Sequence, residues 1–135
     1  MRAAALDLGD AWIGVALSDP LRITARPFTT IKAKELIPFL EKTIGQQAIS
    51  TIVVGHPQTL RGTASAQTIK IETQFEQLQE QFPAVTWVLW DERLTSKQAS
   101  RIKRAKTKED TLQQHAVAAA LILQTYLEHV ALQQS

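Results

Sequence analysis

There is no cysteine in this chain, which excludes a disulfide framework and a thiolate metal site and fits a reducing compartment. Long apolar runs are also missing: none approaches the ~18 residues of a membrane span, and no basic segment followed by an apolar one opens the chain. The sequence therefore reads as a soluble, cytoplasmic protein with no membrane partner. Acids are missing from one stretch only. From Arg93 to Lys108 there are seven bases (Arg93, Lys97, Arg101, Lys103, Arg104, Lys106, Lys108) and no acid, which leaves eight bases against all thirteen acids elsewhere. A basic segment on a mildly acidic body suits a polyanion, although a solvated helix face has the same composition. Repeats and low-complexity stretches are absent. What is present is ordinary: 135 residues, 44% hydrophobic, enough for about one domain (1–135) with a real core.

The patterning predicts strands over 3–9 and 12–19, joined by a tight hairpin at Gly9-Asp10-Ala11 where glycine supplies a backbone conformation other residues resist. A third strand over 23–31 carries Pro27, which points to an edge or an irregularity. Residues 32–47 have helical spacing, with Pro38 acceptable only in a first turn or at a kink. A β-branched strand over 50–57 and a helix over 64–81 follow, then the strand 85–90, which runs directly into Asp91-Glu92-Arg93. A short helix over 96–105 sets Lys97, Arg101 and Arg104 on one face. Thr111 and Gln114 resemble a capping box for a last helix over 112–131, so apolar that it should be buried on most sides. This order of elements calls for an α/β fold, a mixed five-stranded sheet with helices on both faces.

Three places can bring polar groups to one edge of such a sheet: Asp7 in the apolar first strand, Asp91-Glu92 after the fifth, and His115 at the start of the last helix. Each has a plain alternative, as a turn organiser, a surface ion pair or an ordinary helical histidine. An ionised carboxylate in an apolar strand needs a partner, a proton or a metal. Carboxylates converging from separate strands can hold Mg2+ or Mn2+, which prefer oxygen ligands. Paired metals about 3.5–4 Å apart can activate water for phosphodiester cleavage. Arg101, Arg104 and Lys108 would hold backbone phosphates without reading sequence.

"LDLGDAWIGVALSDP", "IVVGHP", "DERLTS" and "AVAAALILQTYL" resemble, in order and spacing, the YqgF-type family of Holliday-junction-resolvase-like proteins and pre-16S rRNA nucleases, over essentially the whole chain. The resemblance implies a ribonuclease H-like fold, a cytoplasmic location and metal-assisted hydrolysis that matures the 5′ end of small-subunit ribosomal RNA. Asp7 matches the family's first-strand acid; Asp91 and Glu92 match the acids of its DER motif. Arg93, Thr95 and Ser96 match the rest of that motif and would organise the loop or touch substrate. Three positions depart from the pattern. His115 stands where the family has an aspartate, Asp10-Ala11-Trp12 replaces a polar, basic run, and His56 replaces an aliphatic residue. A neutral imidazole can ligate metal or act as base, but losing a carboxylate lowers the site's charge and weakens Mg2+ binding.

The expected activity is a metal-dependent nuclease on structured RNA, with Asp7, Asp91, Glu92 and His115 catalytic and Asp7, Glu92 and His115 ligating Mg2+ or Mn2+. Ribosomal RNA precursor is favoured over DNA junctions, and the chain is expected to be a monomer or weak homodimer. A junction endonuclease, which needs a symmetric dimer to cut two strands, and a non-catalytic RNA- or ribosome-binding module are the alternatives. A sugar-kinase-like ATPase shares the Asp-x-Gly start, but 135 residues cannot form two nucleotide-clamping lobes, and Asp10 would repel phosphate.

Overall fold

The computed structural model describes residues 1–56, 66–91 and 108–134. The helix expected over 96–105 lies outside them. The strands are β1 (Arg2–Leu8), β2 (Trp12–Ser18), β3 (Ala25–Lys32), β4 (Ile49–His56) and β5 (Thr86–Asp91). The helices are α1 (Leu36–Gln46), α2 (Ala66–Gln81) and α3 (Lys108–Gln134), with a 3-10 turn at Ala33–Glu35 leading into α1. The sheet order is β3-β2-β1-β4-β5. β1 pairs antiparallel with β2 and β2 with β3, while β1, β4 and β5 run parallel. This is the expected mixed sheet. β3 is its exposed edge, and the irregularity that Pro27 signalled is a register shift between Val15 and Ala16 opposite it.

Strand periodicity divides the core between the two faces. Leu6, Leu8, Ile13, Val15, Ile52 and Val54 pack against Leu36 and Leu40 of α1 and Ile71 and Leu78 of α2. Ala3, Ala5, Ala16 and Val53 pack against Ala119, Ile122 and Leu123 of α3. Pro38 is the third residue of α1, a first-turn position whose missing N–H costs no helical bond.

Four expectations need correction. Helix α3 begins at Lys108 rather than 112, so Thr111 lies within the helix rather than ahead of it. Burial of α3 follows one stripe: Ala119, Ile122 and Leu123 are fully buried, while Val117, Ala118 and Leu121 are half-buried. The stretch Gln113–Gln133 is long and apolar enough on average to cross a bilayer, although no unbroken apolar run reaches that length. That buried stripe against the sheet reads as a core helix. Gly9 is not in the left-handed region; a Cβ there would lie 2.5 Å from the Trp12 carbonyl oxygen, so the tight hairpin needs glycine for space.

The left-handed conformation is taken elsewhere, by Ala48 after α1 and by Arg22 in the β2–β3 turn. Arg22 is held there by its Nε, which donates to the Met1 carbonyl at 3.0 Å, and by guanidinium bonds to Ser50 and Thr51.

Candidate active site

Asp7 is half-buried near the end of β1, on the face that α3 covers, since it follows Ala3 and Ala5 at the strand period. It pairs directly with Gly14 of β2, and Gly14 pairs with Thr30 of β3. On the other side, Leu6 pairs with Val54, so the same register sets Gly55 beside Asp7; Gly55 pairs in turn with Trp90. One row across the sheet therefore reads Thr30, Gly14, Asp7, Gly55, Trp90. The carboxylate stands between two residues that have no side chain.

Gly14 explains how the last helix reaches this row. A Cβ on Gly14 would lie 1.9 Å from the His115 carbonyl oxygen and 2.9 Å from the Ala116 nitrogen. No side chain fits, and the α3 backbone rests directly on β2. Paired Cα atoms of neighbouring antiparallel strands are about 4.5–5.5 Å apart, so His115 enters the sheet one strand from Asp7. The His115 side chain is half-buried. Beside it, an open cleft of about 470 Å3 runs between β3 and α3, lined by Thr29, Thr30, Gln113, Ala116 and Val117 among others.

Asp91 is the last residue of β5 and pairs in register with His56, the last residue of β4. From the α3 side, Trp90 anchors this strand end: its Nε1 donates to Thr125 Oγ1 at 3.1 Å, and its ring meets Tyr126 edge-on and lies against His129. From the α2 side, His56 is buried and its Nε2 is 2.8 Å from Glu72 Oε1. In the hairpin, Lys70 Nζ donates to Asp10 Oδ1 at 2.7 Å and holds that carboxyl below its usual range.

Of the residues expected from sequence, the structure brings Asp7 and His115 to one row on one face and sets the Asp91 strand end two strands from β1. Glu92, Arg93, Thr95, Ser96, Lys97, Arg101 and Arg104 lie outside the described residues, and Lys108 is the first residue of α3. Among the described residues, no three acidic or imidazole side chains form a ready metal cluster. The donor type at Asp7, a carboxylate, nevertheless fits a hard cation better than a soft one. Sequence reasoning missed Gly14 and Glu72. The signal for Gly14 was a glycine inside an otherwise apolar strand, which marks close approach of another backbone; Glu72, one of several acids on a Gln- and Glu-rich helix, carried no signal.

Comparison with known proteins shows the fold and the family. In solved structures, the chain is similar to Thermus thermophilus RuvC in complex with a Holliday junction substrate (TM-score 0.55, 17% identity, 97% of this chain and 96% of that one), a likeness that shows the ribonuclease H-like fold. Among curated proteins, it is 40% identical over 130 residues to a protein of Rubrobacter xylanophilus named "Putative pre-16S rRNA nuclease", covering 94% of this chain and 92% of the relative. A Thermoanaerobacter pseudethanolicus protein of the same name is 39% identical over 138 residues, covering 95% and 96%. With the family profile described as "RuvX: Holliday junction resolvase" matching residues 1–129 as well, the chain belongs to the RuvX family, the YqgF-type family its motifs resemble.

Proposed function

We propose that this protein is a metal-dependent nuclease that hydrolyses phosphodiester bonds in a structured ribosomal RNA precursor. The observation that carries the reading is the seating of α3 on Gly14, which sets His115 next to the row holding Asp7. Relatives at 37–40% identity over nearly the whole chain are named for pre-16S rRNA, which favours RNA over the DNA junction that the family description and the RuvC likeness suggest.

In this reading Asp7 is the central carboxylate ligand of Mg2+ or Mn2+. The second is Glu92, which with Asp91, the last residue of β5, forms the acidic pair of the DER motif. The bound cation would neutralise charge on the scissile phosphate and favour ionisation of the attacking water. The chain's own groups do the rest. His115 either ligates or accepts the proton as the water oxygen bonds to phosphorus. The P–O bond to the leaving oxygen then breaks, and that oxygen takes up a proton. Arg93 and the bases Lys97, Arg101, Arg104 and Lys108 would hold flanking phosphates.

Incubation of a pre-16S RNA carrying its 5′ leader with the protein and Mn2+ tests this. Cleavage is expected, falling to background in Asp7→Asn and by roughly 10²–10⁴-fold in His115→Ala if the imidazole is the base. Intact RNA with the wild type, or equal cleavage by Asp7→Asn, overturns the reading. Cleavage of a four-way DNA junction but not of the RNA would move the substrate to the family's other description.

A further inference from the structure

Two side chains of α2 reach the sheet edge that carries Asp7 and Asp91. Lys70 bonds Asp10 in the hairpin just after Asp7, but both side chains are mostly in water (66% and 80% exposed), so screening leaves that pair little hold. Glu72 is different. Its carboxylate is half in solvent, but its partner His56 is only 8% exposed. His56 closes a strand whose preceding inward residues, Ile52 and Val54, are fully buried and apolar. An imidazole in that setting needs a polar partner. An aliphatic side chain there would pack against α2 in many positions, whereas the 2.8 Å bond from Nε2 to Oε1 is directional. The register adds the consequence: His56 pairs with Asp91, so the end of β4 is the surface on which the end of β5 is laid.

We infer that His56 and Glu72 are a positioning pair, fastening α2 to the end of β4 and so fixing where β5 ends at Asp91. Trp90 holds the same strand end from the α3 face through Thr125 and Tyr126, so the two faces clamp it together. What the positioning serves rests on the metal-nuclease reading above; the positioning itself does not.

Native-state amide exchange tests the pair directly. His56→Leu and Glu72→Leu should each speed exchange of the Leu89, Trp90 and Asp91 amides by about tenfold and weaken Mn2+ binding by about tenfold, the lower end for residues that orient ligands. The unfolding midpoint should stay close to wild type in His56→Leu and fall in Glu72→Leu, which takes that partner from the buried imidazole. The double variant should be no worse than either single one, because both remove the same bond. His56→Gln, which keeps an N–H donor, should recover most of the protection. Unchanged exchange at the β5 end in both single variants overturns the inference. So does an equal rise throughout β1 and β2, which would mean general destabilisation. A wild-type chain that binds no Mn2+ refutes the metal-site reading alone, because the exchange result decides the positioning without it.

Discussion

On the face covered by α1 and α2, β1 and β2 present Leu6, Leu8, Ile13, Val15 and Leu17; on the face covered by α3, the same strands present Ala3, Ala5, Gly14 and Ala16. Both faces are covered by helices, but they solve different problems. Large side chains interdigitate, bury much apolar area and tolerate some repacking. Small ones bury less and let a helix backbone come down onto the sheet. At Gly14 that approach leaves no room for a methyl group, and it is there that His115 meets the row of Asp7. The bulky face is built for stability and the small face for placement. Membership of one core does not mean one role.

Substitutions can break this contrast. The largest combined effect is expected for Gly14→Ala. Relieving a 1.9 Å contact to ordinary separation requires α3 to move by about 1.5 Å. A misplacement of about 1 Å can cost roughly 10²-fold in rate, so RNA cleavage should fall at least that far, with a lowered melting temperature. Cleavage within a few-fold of wild type would show that the helix seat does not set the site. Leu78→Ala on the opposite face should do the reverse. Leu78 is 2% exposed, and emptying such a site costs about 2–5 kcal/mol in urea unfolding. Activity per folded molecule should be unchanged; a matching loss there would erase the distinction between the faces.

Which parts were legible in advance follows from the range of each interaction. Asp7 was readable because a carboxylate in an apolar strand is costly wherever the strand lies, and the five strands were readable because alternation and β-branching are local. Gly14 was not: its meaning depends on which residue of a helix about 100 positions away lands on it. Glu72 pairs with a residue only 16 positions back, but no periodic pattern on α2 singles it out from Glu76 or Glu80. Thr111 misled because a capping box is a local motif, while the start of α3 is set by the longer run from Lys108.

A change that touches neither face should affect neither the core nor the site, and Asp19 supplies that control. In the β2–β3 turn its Oδ1 accepts from the Thr24 amide at 2.8 Å and the Ile23 amide at 2.7 Å, and Oδ2 accepts from Leu21 at 3.3 Å. The Thr24 bond first, with Ile23 and Leu21 adding to it, holds the carboxyl below its ordinary 3.8. A carboxyl depressed on folding binds its proton less readily in the native state. Its stabilising contribution is therefore complete above the unfolded value and fades as pH falls from about 4 through the depressed native value. Asp19→Ala should melt slightly below wild type at pH 6, with the difference shrinking toward zero on acidification below 3.8. RNA cleavage at neutral pH should not change. A gap that stays constant with pH would mean that the turn is held by Arg22 and its bonds to Met1 and Thr51 rather than by ionisation of Asp19.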